Sequence, residues 1–168
     1  MASGNFIKYS LLFLLFCISQ INIVFGQSIA HSYVIKYQSL AISMMRESGI
    51  PASIILSIAI TESAAGTSRN ARLLNNHFGI KSQKKNRIPG TKHITAYRTY
   101  ISDTLSYKGF CEWISKRSFY QALCENKDYR LWIKTLGVSG YARSHSAWRK
   151  KILTIIDYYC LSDLDCLL

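Results

Sequence analysis

The segment "IPASIILSIAITES", residues 50–63, constrains the fold of this chain more than any other feature. It contains no charged residue before Glu62. Pro51 is well placed to open an α-helix, because its fixed φ suits the first helical turn and its missing N–H would have no partner there. We therefore expect a helix that runs through Ser63, with a single acidic side chain near its end.

The position of Glu62 on this helix suggests a chemical use for its carboxyl group. Glu62 follows Ile58 by four residues and Ile55 by seven, which places all three on one face at about 100° per residue. A carboxylate in line with a buried stripe is costly when charged. Burial and the negative end of the helix dipole both raise its pKa, so the group is expected to keep its proton near neutral pH. A general acid for glycosidic bond cleavage needs that property.

An ordinary ion pair is the alternative for Glu62. No other acid lies between Glu47 and Asp103, and three bases that could pair with it are close in sequence: Arg69, Arg72 and Lys81. Helical geometry alone does not decide between a general acid and a paired carboxylate.

Residues 1–26 have the pattern of a signal peptide. Lys8 precedes an apolar run, and the small residue at the end of "VFG" places a cut after Gly26. A membrane anchor helix is the alternative, but polar residues interrupt the run. A lipoprotein is disfavoured because large residues precede Cys17. We expect one exported domain over 27–168, secreted or periplasmic.

The exported part is strongly basic. Its net charge is +11, one less than the +12 of the whole chain, because Lys8 is the only charged residue removed. Such a charge suits a cell-wall polymer, a membrane surface or nucleic acid. Export and the lack of any nucleic-acid-binding signature disfavour nucleic acid. No helix combines a strongly basic face with a fully apolar one, which disfavours membrane activity. We expect a monomer without stable membrane insertion after signal cleavage.

The cysteines favour disulfide bonds. An even number in an exported domain is typical of disulfides, with three pairings open, and buried free thiols are the alternative. No CxxC or HxxxH spacing occurs and the histidines are scattered, so neither a metal site nor a cofactor is expected. The four cysteines after the cut are Cys111, Cys124, Cys160 and Cys166.

The remaining pattern predicts a mainly helical domain interrupted by a polar, basic lobe. Ile29 to Ser48 reads as an amphipathic helix closed by Gly49. Over 64–99 we expect loops, one short helix and a small hairpin around "KHITAYRTY". Ser102 is a plausible N-cap, and Trp148 is assigned to the core rather than to ligand binding. Helical patterns follow at 102–114, 118–125, 128–137 and 146–161.

Several ordered motifs resemble a known family. They are "IPASIILSIAITESAAGTSRNARLLNNHFGIKS", "AYRTYISDTLSY" and "FYQALCENKDYRLWIKTLGVSGYA", and the resemblance runs from about Ser39 to Leu161. The family is the bacterial glucosaminidases, peptidoglycan hydrolases that include the flagellar muramidase domain and many autolysins. The resemblance implies a lysozyme-like α+β fold, mainly α-helical, with a small β lobe. It also implies hydrolysis of the β-1,4 bond after N-acetylglucosamine in peptidoglycan.

The resemblance also implies site residues. Glu62 matches the general acid at the end of its helix, and Tyr141 in the Gly-Tyr-Ala motif matches an aromatic residue near that acid. We assign both to catalysis. Asn76 and Phe78 fall in the segment that shapes the cleft floor and are assigned to substrate binding, with a purely structural role as the alternative. The basic lobe would face peptidoglycan carboxylates, unless it is an ordinary solvated loop.

The chain departs from the family pattern at the second carboxylate that a two-acid hydrolase needs. Members commonly place one after "FGIK", but "SQKKNRIPGTKHIT" contains no Asp or Glu. Asp103 is the next acid, at a helix start where an acid is usually structural. Arg143-Ser144 stands where many members have a small polar residue and then Asp.

Several accounts of the missing acid stay open. The substrate's own acetamide could be the nucleophile, or a distant acid could fold into the cleft. Alternatively, the protein binds wall glycan without cutting it, or it is a lytic transglycosylase that needs one acid.

Overall fold

In a computed structural model, the described residues are 29–88, 90–141 and 145–167. The expected signal peptide, residues 1–26, lies outside them, as does the Arg143-Ser144 pair. Within the described ranges, every helix is too short or too polar to cross a bilayer.

The described chain is mainly helical with one small sheet. Strands β1 (Lys81–Arg87) and β2 (Ile94–Tyr97) form an antiparallel hairpin, and helix α1 covers residues 29–48. This confirms the predicted α+β fold class with a small β lobe. Helices α2 to α7 cover Ala52–Ser63, Arg69–Leu74, Asp103–Ser115, Tyr120–Leu123, Tyr129–Val138 and His145–Tyr158, and a 3-10 helix covers Leu161–Cys166.

Helix α2 lies at the centre of the core. All residues from Ala52 to Ile60 are buried, and α6, α7 and the 3-10 helix pack against it. The lack of charge in this segment follows from burial on every face. The prediction that Glu62 continues a single buried stripe is therefore wrong. Glu62 is more exposed than the residues before it because α2 leaves the core in its last turn, but its carboxyl group stays partly buried.

The first turn of α2 is held by two partners. The Pro51 carbonyl accepts hydrogen bonds from the backbone N–H groups of Ile54 and Ile55 at 3.0 and 3.1 Å. The Asp165 carboxylate, from the 3-10 helix, accepts from the backbone N–H and the hydroxyl of Ser53 at 2.8 and 2.6 Å. An anionic group satisfies the free N–H groups of a helix start. The 3-10 helix thus fixes the start of the helix that carries Glu62.

The hairpin is larger than the sequence predicts. Strand β2 lies inside the expected segment, whereas β1 consists of Lys, Ser, Gln, Asn and Arg, residue types with weak strand propensity. Pairing with β2 compensates, with Asn86 opposite Thr95 and Arg87 opposite Ile94, and an irregularity separates these pairs from Lys81 opposite Tyr97.

The four cysteines in the described residues are free thiols, so the expected disulfides are not found. Cys111 is buried on α4 like a small apolar residue, and burial raises the pKa of its thiol to about 12. Cys160 and Cys166 are exposed at the two ends of the 3-10 helix. A 3-10 helix of that length separates their Cα atoms by roughly 12 Å, too far for a disulfide.

Candidate active site

The way in which α2 ends brings Glu62 to the surface. The buried Ser63 hydroxyl donates to the carbonyl of Ala59 at 2.6 Å and accepts from the backbone N–H of Gly66 at 2.8 Å. Ala64 adopts a left-handed φ of 49°. The chain therefore turns sharply after Glu62, and the carboxylate is left at the edge of a cleft.

This Glu62 cleft has a volume of about 280 Å³. Three of the four predicted site residues, Glu62, Phe78 and Tyr141, border it together. Its lining consists of Glu62, Phe78, Gly79, Ile80, Lys81, Trp113, Gly140 and Tyr141.

Trp148 contacts the candidate acid directly. Its indole Nε1–H donates to Oε1 of Glu62 at 3.2 Å. The predicted core position of Trp148 is confirmed, since the side chain is buried among the core residues, and its hydrogen bond to Glu62 is an additional contact that the sequence does not predict. Helical spacing identifies the buried face of α7, and it gives no sign that this face meets the end of α2.

The surroundings of Glu62 favour its protonated form. Burial raises its pKa, while the Trp148 hydrogen bond and the positive charge of Lys151 lower it, and the net pKa lies above the ordinary value for glutamic acid. This is the direction expected from the sequence, and it suits a general acid. Within the described residues, no ion pair joins Glu62 to the three bases considered above, Arg69, Arg72 and Lys81.

Tyr141 places beside this carboxyl group a hydroxyl that has no partner in the described part of the chain. Its ring lies 5.5 Å, between centroids, from both Trp113 and Trp148. Burial raises its pKa, and the charge of Glu62 acts in the same direction. The hydroxyl is buried and has no hydrogen-bond partner among the described residues. A buried unpaired hydroxyl costs free energy, so this one is available to a ligand.

Phe78 and Asn76 belong to one loop but have different surroundings. Phe78 borders the Glu62 cleft and stacks on Phe110, with centroids 4.1 Å apart and planes at 8°. Asn76 is buried and does not line the cleft. Its Nδ2 donates to the carbonyls of Ile80 and Arg98 at 2.9 and 2.8 Å, and its Oδ1 accepts from the Ile80 N–H at 3.0 Å. These bonds favour the structural alternative for Asn76.

Asp103 belongs to a separate polar cluster. It accepts hydrogen bonds from the Tyr37 hydroxyl at 2.6 Å and from His77 Nε2 at 3.0 Å, and it lies 3.6 Å from Lys36 Nζ. Burial alone would raise the pKa of Asp103, but these partners hold it below its ordinary value. The cluster borders a different cavity, of about 570 Å³. Among the described residues, Glu62 is the one acid that lines its own cleft.

The network around His77 was not predicted from the sequence. Tyr107 donates its hydroxyl hydrogen to Tyr33 at 3.0 Å, and the Tyr33 hydroxyl lies 2.7 Å from His77 Nδ1. Tyr33 therefore donates to an unprotonated Nδ1, and Nε2–H donates to Asp103. Burial lowers the pKa of His77, which agrees with a neutral ring. In the described parts of the chain, no cluster of His, Cys, Asp and Glu could hold a metal ion.

The sequence matches one family model. That model, described as mannosyl-glycoprotein endo-β-N-acetylglucosaminidase, covers residues 38–161. No curated protein matches the sequence.

Solved structures share the fold at low sequence identity. An N-acetylmuramoyl-L-alanine amidase from Staphylococcus aureus has a TM-score of 0.69 and 24% identity, covering 82% of this chain and 43% of that chain. This chain therefore spans less than half of the staphylococcal one. The catalytic domain of the autolysin Auto from Listeria monocytogenes has a TM-score of 0.65 and 19% identity, covering 82% and 88% of the two chains. The glycoside hydrolase domain of FlgJ from Salmonella typhimurium has a TM-score of 0.65 and 20% identity, covering 80% and 90%. The similarity confirms the lysozyme-like fold.

Proposed function

The chain belongs to the glucosaminidase family of glycoside hydrolases, and from this we propose that it is an exported peptidoglycan hydrolase that cleaves the β-1,4 bond after N-acetylglucosamine. In this proposal Glu62 is the general acid, which protonates the glycosidic oxygen as the bond to C1 breaks. Tyr141 directs its hydroxyl at the reacting sugar, and Phe78 forms part of the cleft floor.

One observation carries the proposal: the Glu62 carboxyl lies at the cleft, has a raised pKa and accepts a hydrogen bond from Trp148. The indole holds Oε1. Oε2 has no partner among the described residues, so it is free to carry the proton and to face the glycosidic oxygen. A fixed carboxyl group with a raised pKa combines the geometry and the protonation state that a general acid requires.

A single acid is sufficient when the substrate supplies the nucleophile. The acetamide oxygen of N-acetylglucosamine attacks C1 while Glu62 protonates the departing oxygen, which gives an oxazolinium ring and a free hydroxyl on the leaving sugar. Water then opens the ring and gives up its proton to the Glu62 carboxylate, which restores the acid. The lack of a second acid among the described residues of the cleft lining supports this route.

The same lack of a second acid favours two other candidates. A non-catalytic module would bind wall glycan without cutting it. A lytic transglycosylase would use Glu62 alone and leave anhydro-muramic ends.

We further propose that residues 1–26 are removed on export and that 27–168 form the single domain. Peptidoglycan lies outside the cytoplasmic membrane, so an enzyme that acts on it works in the periplasm or outside the cell. We expect a monomer whose partner is the anionic glycan, with no cofactor and no nucleic acid.

Digestion of purified sacculi with the mature protein tests the proposal, with mass spectrometry of the new reducing ends. Ends in N-acetylglucosamine are expected, and Glu62→Gln should lower the rate by about 10²- to 10⁴-fold. Glu47→Gln, an exposed acid on α1, is the matched control and should retain the rate.

The other outcomes are distinct. Anhydro-muramic ends would identify a transglycosylase. Sedimentation with sacculi but no released fragment would identify the binding module. An unchanged rate in Glu62→Gln would remove Glu62 from the mechanism.

A further inference from the structure

Lys81 places a positive charge in the Glu62 cleft that has no ion-pair partner among the described residues. It is the first residue of β1, its side chain is exposed, and it borders the cleft together with Glu62. Within the described residues it has neither an ion pair nor a side-chain hydrogen bond. The cation that affects the pKa of Glu62 is Lys151, on α7. The Lys81 ammonium group is therefore free for a ligand.

The surroundings of Lys81 reinforce its charge. Residues 76–102 contain no Asp or Glu, so no carboxylate of this segment competes for it. The hairpin adds further bases, Lys84, Lys85, Arg87 and Lys92, whose side chains are exposed. These bases lie outside the cleft lining, and a surface that carries charges of one sign beside a cleft attracts ligand groups of the opposite sign.

The chemistry of the proposed substrate places a carboxylate next to the bond that is cut. The bond after N-acetylglucosamine ends at O4 of N-acetylmuramic acid, and the neighbouring O3 carries the lactyl group. A glycan that presents O4 to Glu62 therefore brings the lactyl group into the same cleft. The lactyl carboxyl is free when the stem peptide has been removed. When the peptide is attached, the carboxylates belong to the peptide.

Resting on the proposed function, we propose that Lys81 binds a carboxylate of the muramyl unit beside the scissile bond. Lys81 then determines specificity, because it favours wall glycan over neutral polymers of N-acetylglucosamine.

Three soluble substrates distinguish the sources of the carboxylate: neutral N-acetylglucosamine oligomers, glycan stripped of stem peptides, and peptide-bearing glycan. The measured quantity is the ratio of kcat/KM on each muramyl substrate to kcat/KM on the neutral oligomers. Because a charged hydrogen bond is lost, Lys81→Met should lower this ratio about ten- to a hundred-fold. The matched control is Lys84→Met, on the same strand but outside the cleft lining, and it should leave the ratio unchanged.

The pattern of loss identifies the group that is bound. If Lys81→Met lowers the kcat/KM ratio more on stripped glycan, the bound group is the lactyl carboxylate. If it lowers the ratio more on peptide-bearing glycan, the bound group is a stem-peptide carboxylate. Ratios that are the same in Lys81→Met and in the wild type would overturn the inference while leaving the hydrolase intact.

A binding measurement separates this inference from the proposed function. Affinity for stripped and for peptide-bearing glycan is compared between Glu62→Gln and the double variant Glu62→Gln/Lys81→Met, so no turnover is needed. The double variant should bind one of them about ten-fold or more weakly, with a difference that shrinks as salt is added. If the double variant bound each of the two glycans as tightly as Glu62→Gln does, the inference would be overturned, even if the wild type proved to be inactive.

Discussion

Trp148 and Glu62 are 86 residues apart in the sequence and are joined by a hydrogen bond of 3.2 Å from the indole Nε1–H to Oε1. This bond lowers the pKa of Glu62, whereas burial raises it by more. Helix α2 thus supplies the acid, and α7 supplies the donor that limits how strongly the acid holds its proton.

Removal of the indole donor should move the pH dependence of the reaction. In Trp148→Phe the pKa of Glu62 rises further, because the charged carboxylate loses a hydrogen bond. The protonated form is the active one, so the alkaline limb of kcat/KM should shift to higher pH. Trp113→Phe is the matched control, since Trp113 borders the cleft but makes no hydrogen bond to Glu62 within the described structure. In Trp113→Phe the alkaline limb of the kcat/KM profile should stay at the wild-type pH. An unmoved limb in Trp148→Phe would contradict the prediction.

Glu62→Gln should be more stable than the wild type near neutral pH. The folded pKa of Glu62 lies above its unfolded value of about 4.5, so ionisation costs stability as pH rises through that interval. The side chain is only partly buried at the cleft edge, so we expect a rise in Tm of no more than roughly 2–4 °C. Thermal unfolding near neutral pH and near pH 4 measures this, and the difference should vanish at the lower pH. A lower Tm in Glu62→Gln near neutral pH would show that the carboxylate is stabilising.

The central helix could be predicted from the sequence because its causes are local. Pro51 and the charge-free run that follows it are contained in one segment. Strand β1 could not be predicted, because its strand conformation depends on pairing with β2 rather than on its own side chains.

The chemistry around the acid was harder to predict because it depends on contacts between distant segments. The Trp148 contact depends on how α7 crosses the end of α2. Asn76 lies in a motif that suggests substrate binding, yet its amide is engaged by the backbone of its own loop and of the segment after β2. A motif identifies a segment near the site, and it does not say which side chains of that segment face the ligand.

Tyr141→Phe should separate activity from stability. Its hydroxyl has no partner among the described residues, so its removal should leave the free energy of unfolding unchanged or raised. Loss of a hydrogen bond to the reacting sugar should lower kcat about ten-fold or more. Tyr107→Phe is the comparison, because its hydroxyl donates to Tyr33 and its loss should cost about 1 kcal/mol of stability. Destabilised Tyr141→Phe with wild-type kcat would mean that the hydroxyl is structural.

Asp103→Asn should lower stability without affecting catalysis, because Asp103 holds Tyr37, His77 and Lys36 together away from the Glu62 lining. Its folded pKa lies below the unfolded value, so the carboxylate stabilises the fold above about pH 4 and loses this effect as pH falls further. Urea unfolding near neutral pH should show a free energy of unfolding that is lower than in the wild type by about 1–3 kcal/mol, and this difference should shrink below pH 4. The exposed Asp163→Asn should stay within about 0.5 kcal/mol of the wild type. If folded Asp103→Asn instead lost 10²-fold or more in kcat, Asp103 would be the second acid, and hydrolysis would not depend on the substrate's acetamide.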